Sequence, residues 1–209
     1  MKRQLKICGL RDAKNIQQVA AFRPDYMGFI FYKNSKRFVG DDFKISSDLP
    51  REIKRVGVFV NENIHTIMEL AKMHQLDFVQ LHGHEPIEDC IVLKQNRISV
   101  IKTFAVDEDF DFSATVPYQL FVDFFLFDTK SEGFGGSGKI FDWSLLKNYN
   151  QQIPFFLSGG LSHENIADVV LLKGMNLHAL DINSGVEFAP GVKDIAKIEA
   201  VIKLLTPKF

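Results

Sequence analysis

Short apolar runs alternate with amphipathic stretches along the whole chain. Eight runs of four to six residues are apolar at successive positions, which is the pattern of parallel strands buried on both faces. The predicted strands cover residues 5–8, 26–31, 55–60, 77–81, 99–104, 124–128, 154–157 and 178–182. The stretches between them predict helices at residues 13–22, 64–73, 143–147, 163–172 and 193–205, and one after Pro86 that runs to Lys94. The helical pattern is thin after the second and fifth strands.

Eight repeats of strand and helix favour a closed ring of strands over an open sheet. The intervening helices supply the crossovers that parallel pairing requires. A chain of 209 residues is most simply one domain, near the short end of this fold's size range. We therefore predict an α/β protein, a single-domain (β/α)8 TIM barrel spanning residues 1–209.

Composition and charge narrow the class of partner. The hydrophobic content of 46% is ordinary for a soluble protein, and the net charge of −1 gives no electrostatic reason to expect nucleic acid or an anionic membrane. Two cysteines, Cys8 and Cys90, make neither a disulfide framework nor a zinc cluster, and Cys90 is interpreted as core. The basic residues 1–6 have no apolar stretch behind them, unlike a secretory signal. We predict a cytoplasmic monomer or homodimer with no metal and no cofactor.

Two glycine turns near the C-terminal end indicate the ligand. One apolar run ends in Gly159 and Gly160, and the next ends in Asn183, Ser184 and Gly185. Glycine lets the backbone approach a ligand closely, and free N–H groups at a helix start attract phosphate. Barrels of this kind commonly build a phosphate site from their last two loops. The sequence therefore predicts a phosphorylated small-molecule substrate.

Candidate catalytic residues are those at the carboxyl ends of the strands, where barrel active sites lie. Cys8 ends the first predicted strand, and its thiol could act as a base or nucleophile if a cation lies nearby; the alternative is a small buried hydrophobe. Asp128 ends the sixth strand, where partial removal from water suits a general acid; the alternative is a loop cap. The glycine-rich residues 133–139 that follow are interpreted as a mobile cover.

Other polar residues near strand ends are less specific. Arg37 follows the second strand, where it is either part of a solvated loop or a fork for a carboxylate or phosphate. Asp181 ends the eighth strand and could accept a hydrogen bond from a sugar hydroxyl or order the loop. His82 and His84 lack a carboxylate or cysteine at ligand spacing, so we expect wall or supporting roles instead of a metal site. Asp123 begins the sixth strand, at the opposite end, and is interpreted as structural.

Six motifs in order resemble a known family, the phosphoribosylanthranilate isomerases of tryptophan biosynthesis. The motifs are Lys6-Ile7-Cys8-Gly9, Val79-Gln80-Leu81-His82-Gly83, Phe127-Asp128-Thr129, Gly135-Gly136-Ser137-Gly138 with Phe141-Asp142-Trp143, Leu157-Ser158-Gly159-Gly160-Leu161, and Asp181-Ile182-Asn183-Ser184-Gly185-Val186-Glu187. Each is weak alone, but the series covers essentially the whole chain. The chain departs from the family pattern at Leu10-Arg11-Asp12, where a threonine is usual, and at Asn183, where serine is usual.

The resemblance implies an Amadori rearrangement of N-(5′-phosphoribosyl)anthranilate to a 1-deoxyribulose 5-phosphate. It assigns proton donation to Asp128, proton removal from C2′ to Cys8, and the anthranilate carboxylate to Arg37. One alternative is the related sugar-phosphate isomerase of the histidine pathway, which has an aspartate where Cys8 stands. The other is a non-catalytic phosphate-binding barrel, which would need the glycine turns but not Cys8 together with Asp128.

Overall fold

Eight parallel strands close into a barrel in the computed structural model, which describes residues 4–130 and 141–205. Each strand pairs with its neighbours in chain order, and the eighth pairs with the first. The strands are β1 (Gln4–Ile7), β2 (Tyr26–Ile30), β3 (Lys54–Phe59), β4 (Phe78–Leu81), β5 (Ser99–Val106), β6 (Phe124–Thr129), β7 (Phe155–Leu157) and β8 (Leu177–Ile182). The closed ring confirms the predicted barrel. The predicted cover at 133–139 falls outside the described residues.

Helices surround the barrel, and several are of the 3₁₀ type. The α-helices are α1 (Ala13–Ala20), α2 (Ile64–Met73), α3 (Ile87–Gln95) and α4 (Ile195–Leu205). The 3₁₀ helices cover Phe112–Tyr118, Trp143–Asn148, Ile166–Leu172 and Ser184–Val186. The helix predicted at 163–172 is of the 3₁₀ type in the structure and begins at Ile166, three residues later than predicted. No helix forms between β2 and β3, where the sequence pattern was thin.

The start of α4 also differs from the prediction. Residues 187–193 form a small antiparallel hairpin, made of β9 (Glu187–Ala189) and β10 (Val192–Lys193), and α4 begins only at Ile195. The hairpin follows β8, so it stands at the carboxyl-end face of the barrel. Within residues 4–130 and 141–205, no helix has the length and apolar character needed to cross a membrane.

The interior of the barrel is apolar at one end and polar at the other. Side chains of a strand alternate between the two faces, so every second residue points inward. Inward residues near the amino ends form a separate buried cluster of Tyr26, Val56, Ile101, Leu126, Phe156 and Ala179. Two residues beyond Leu126, Ala179 and the partly buried Phe78, which packs against this cluster, the inward positions are Asp128, Asp181 and Gln80. The barrel interior thus has an apolar layer at its amino end and, above it, a polar chamber that contains Gln80, Asp128 and Asp181.

Three aspartates fix the amino-end face. Asp25, Asp77 and Asp123 each accept a hydrogen bond at 2.8 Å from the backbone N–H of the second residue of β1, β3 and β5 respectively. Each carboxylate satisfies a strand N–H at the edge of the ring. Asp123 therefore has a structural contact far from the polar chamber.

Candidate active site

A cavity opens at the carboxyl ends of the strands and brings the predicted site residues together. All nine line it: Cys8, Arg37, Asp128, Gly159, Gly160, Asp181, Asn183, Ser184 and Gly185. Gln80 and His82 line it as well. The residues come from both halves of the sequence, so the closure of the barrel assembles the site.

Cys8 lies at the floor of this cavity. Its backbone N–H donates to the carbonyl of Ile182 at 2.9 Å, which continues the β1–β8 pairing one residue past β1. Gly28 makes room for the side chain, since a Cβ there would lie 2.6 Å from the Cys8 sulfur. The residue is only 4% exposed, and this burial raises the pKa of the thiol. The charges of Lys6 and Lys193 oppose that rise.

Lys6 is a buried cation two residues before Cys8 and points into the same chamber. Its Nζ lies 2.7 Å from Asp181 Oδ2 and donates to Gln80 Oε1 at 2.8 Å, with no exposed surface. Burial alone would lower the pKa of Lys6, but the neighbouring Asp181 and Cys8 raise it above its ordinary value. The ammonium is therefore held as a fixed positive charge near the thiol.

Asp181 is paired through only one of its oxygens. Oδ2 accepts from Lys6, while Oδ1 is buried and has no hydrogen-bond partner among the described residues. Burial raises the pKa of this carboxyl, and the Lys6 charge opposes the rise. A buried acceptor that faces a cavity without a partner is suited to a donor on a ligand.

Asp128 stands at the inward position near the end of β6. Its Oδ1 accepts from the backbone N–H of Thr129 at 2.8 Å. Its Oδ2 lies 3.4 Å from His82 Nε2, and both side chains are about one-sixth exposed, at 16% and 15%. Oδ2 is therefore the oxygen turned to the histidine.

Arg37 is held by a carboxylate that the sequence analysis missed. Its Nε donates to both oxygens of Glu187 at 2.9 and 3.1 Å, and its Nη2 donates to Oε2 at 2.7 Å. Glu187 also accepts from Lys193 Nζ at 2.8 Å and from the N–H of Gly191 at 3.0 Å. Burial alone would raise the pKa of Glu187, but these donors lower it below its ordinary value. The two cations and one carboxylate leave a net positive charge beside the cavity.

The two glycine turns pack against each other at the rim. A Cβ at Gly185 would lie 2.1 Å from the carbonyl oxygen of Leu161, so only glycine permits this contact. Asn183 is fixed by Lys193, whose Nζ donates to the Asn183 side-chain oxygen at 2.8 Å and to its carbonyl at 3.1 Å. The loops after β7 and β8 therefore form one surface.

Some of the missed residues carried a usable signal. Lys6 precedes Cys8 by two positions and Gln80 precedes His82 by two, so the strand period alone puts each pair on one face. Glu187 carried none, because its contact depends on a hairpin. His84 does not line the cavity; its backbone N–H donates to Asn61 Oδ1 at 2.7 Å. Within the described part of the chain, no group of three or more histidine, cysteine, aspartate or glutamate residues could hold a metal ion.

The fold and the cavity define the class: a (β/α)8 barrel enzyme with titratable side chains and two glycine turns around one cavity at the carboxyl ends of its strands. The family model for N-(5′-phosphoribosyl)anthranilate isomerase matches residues 5–204. The chain belongs to this family of isomerases of tryptophan biosynthesis.

Individual members of the family are similar to this chain over nearly its whole length. The chain is 44% identical over 202 residues to the N-(5′-phosphoribosyl)anthranilate isomerase of Parabacteroides distasonis, covering 95% of this chain and 91% of that protein. A crystal structure of the Thermotoga maritima enzyme superposes with a TM-score of 0.84 at 39% identity, over 97% of this chain and 98% of that one. A second crystal structure, of phosphoribosyl anthranilate isomerase in complex with reduced 1-(o-carboxyphenylamino)-1-deoxyribulose 5-phosphate, superposes with a TM-score of 0.81 at 36% identity, over 97% of this chain and 98% of that one.

Proposed function

We propose that this chain converts N-(5′-phosphoribosyl)anthranilate to 1-(2-carboxyphenylamino)-1-deoxyribulose 5-phosphate by an Amadori rearrangement, with Cys8 as general base and Asp128 as general acid. The observation that carries the proposal is a thiol one residue past β1 and a carboxyl group on β6, around one cavity rimmed by two glycine turns. The solved relative with a bound carboxyphenylamino deoxyribulose phosphate supports the class of ligand.

The steps follow from the chemistry of the two groups. Protonated Asp128 donates its proton to the furanose ring oxygen, the ring opens, and the C1′–N bond becomes an iminium. The Cys8 thiolate then removes the proton from C2′, which gives an enolamine. The enolamine tautomerises to the ketone. The net change moves hydrogen within the substrate, so the reaction requires acid–base groups and no electron carrier.

The surrounding residues orient the substrate for these steps. Arg37 binds the anthranilate carboxylate through the side of its guanidinium that Glu187 does not use. The backbone amides of the turns at Gly159, Gly160, Asn183, Ser184 and Gly185 bind the phosphate. Anchoring at both ends lets binding energy place the reacting carbons between acid and base.

Asp181 and Lys6 also have roles in the proposed mechanism. The unpartnered Oδ1 of Asp181 accepts a hydrogen bond from a ribose hydroxyl. The buried ammonium of Lys6 stabilises the thiolate of Cys8 against the cost of burial. We further propose a cytoplasmic location, because both cysteines are free thiols.

A fluorescence assay tests the proposal. It follows the loss of phosphoribosylanthranilate, generated in situ, for the wild type, Cys8→Ala, Asp128→Asn and the control Cys90→Ala. Cys90 is buried within α3 and does not line the cavity. We expect kcat to fall by about 10²- to 10⁴-fold in the first two variants and little in the control. The Kd for the reduced product analogue should change only a few-fold. Activity of Cys8→Ala equal to that of Cys90→Ala would remove Cys8 from the mechanism.

A further inference from the structure

A chain of hydrogen-bonding side chains crosses the chamber from Lys6 to Asp128. Lys6 Nζ lies 2.8 Å from Gln80 Oε1, Gln80 Nε2 lies 2.9 Å from His82 Nδ1, and His82 Nε2 lies 3.4 Å from Asp128 Oδ2. Gln80 is 1% exposed and Lys6 is fully buried. The proposed acid–base steps do not by themselves require any of these three contacts.

The chain determines the orientation of the Gln80 amide. An ammonium group has only donors, so the Gln80 atom in contact with Lys6 must be the carbonyl oxygen. The amide NH2 group then faces His82 Nδ1. An amide NH2 group is a donor, so Nδ1 must be the accepting, unprotonated nitrogen of the ring. The hydroxyl of Thr103, 3.1 Å from the same Nδ1, can donate or accept and does not oppose this arrangement.

We propose that Gln80 holds His82 in the tautomer with its proton on Nε2, and that this N–H supports Asp128 when the aspartate releases its proton. The role rests on the proposed function of Asp128 as the acid. The Nε2–H bond to Oδ2 is charge-assisted once Asp128 becomes a carboxylate, and it is weaker while Asp128 is protonated. Differential bonding of this kind favours the proton transfer without tightening substrate binding.

The separation of 3.4 Å is long for a hydrogen bond, which fits a contact that shortens when the substrate is bound. Asp128 Oδ1 accepts from the Thr129 N–H, Oδ2 is the oxygen that meets His82, and the side chain of Asp128 lines the cavity. His82 is thus a positioning residue that acts through Asp128.

Nitrogen NMR of protein labelled with ¹⁵N-histidine tests the tautomer directly. The signals of His82 are assigned by their absence in His82→Gln. We expect Nε2 protonated and Nδ1 unprotonated at neutral pH in the wild type. In Gln80→Glu the new carboxylate should accept from the ring, so Nδ1 becomes protonated. A protonated Nδ1 in the wild type, or an unprotonated Nδ1 in Gln80→Glu, overturns the proposal.

A matched pair of variants tests the support of Asp128. The amide nitrogen of His82→Gln can reach the place of Nε2, whereas that of His82→Asn reaches only the place of Nδ1. We expect His82→Asn to lose about 10- to 100-fold in kcat, the size expected for a lost hydrogen bond to a charged group, with KM nearly unchanged. His82→Gln should recover most of that loss. His65→Gln, an exposed position on α2, serves as the control.

Asp128→Asn, measured alongside, separates the two proposals. Full activity of Asp128→Asn would refute the acid assignment itself. A strongly impaired Asp128→Asn together with equal kcat values for His82→Gln and His82→Asn would refute only the role of His82.

Discussion

Replacing Lys6 by methionine should both destabilise the barrel and slow the reaction. The change keeps most of the side-chain volume but removes the cation that lies 2.7 Å from Asp181, where both groups are at most 5% exposed. Breaking one partner of a buried ion pair leaves an uncompensated charge and costs about 3–5 kcal/mol. For a domain of this size that corresponds to a fall in Tm of roughly 6–20 °C. The loss of the cation also leaves the Cys8 thiolate without its neighbouring positive charge, so kcat should fall as well.

Thermal unfolding followed by circular dichroism measures the effect against two matched variants. Lys54→Met removes an exposed partner of Asp77, a pair in which the side chains are 47% and 32% exposed, and should cost far less. Lys6→Met combined with Asp181→Asn removes both charges and should recover much of the lost Tm.

The penalty should also depend on pH. Burial already raises the pKa of Asp181, and loss of Lys6 raises it further. The lone carboxyl therefore takes up a proton as the pH falls, so the Tm deficit of Lys6→Met should be smaller at about pH 5 than at about pH 8. A deficit no larger than that of Lys54→Met, or one that is independent of pH, would refute the reasoning.

Two further predictions concern the base and the carboxylate site. Because burial raises the pKa of Cys8, its thiolate fraction, followed by ultraviolet absorbance in the Cys90→Ala background, should keep rising with pH above neutrality; an absorbance already flat at neutral pH would contradict this. Glu187→Gln should loosen Arg37 and raise KM by about 10-fold with kcat changed only a few-fold, whereas Glu199→Gln, in an exposed pair, should change neither. Steady-state kinetics that show equal KM values for the two glutamine variants would refute the role of Glu187.

Much of the barrel can be predicted from the sequence, because a parallel strand buried on both faces is apolar at nearly every position. All eight strands occur where continuous apolar runs predict them, with ends shifted by at most two residues. Whether a helix is of the α or the 3₁₀ type is harder to predict from the sequence. The apolar spacing at Ile166–Leu172 suits either an α-helix or a 3₁₀ helix, and the structure adopts the latter. The hairpin of β9 and β10 was missed because its strands are only three and two residues long.

In the candidate site, too, some residues could be predicted from the sequence and others could not. Cys8, Asp128 and Asp181 could be found because each stands at or near the end of an apolar run, and the rule that barrel sites lie at those ends needs no coordinates. The glycine turns could be found for the same reason. The structure brings these residues around one cavity, and their roles stay predictions.

The sequence alone therefore determined the ring of strands, the end of the ring at which the candidate site lies, and the family. Tertiary structure alone decided which charges meet. Lys6 contacts Asp181 across 175 residues of chain, and Arg37 contacts Glu187 across 150. No local pattern encodes such partners, because they come together only when the eighth strand closes against the first and the hairpin folds over the rim. The protonation states that the chemistry needs depend on those meetings and on the burial that accompanies them.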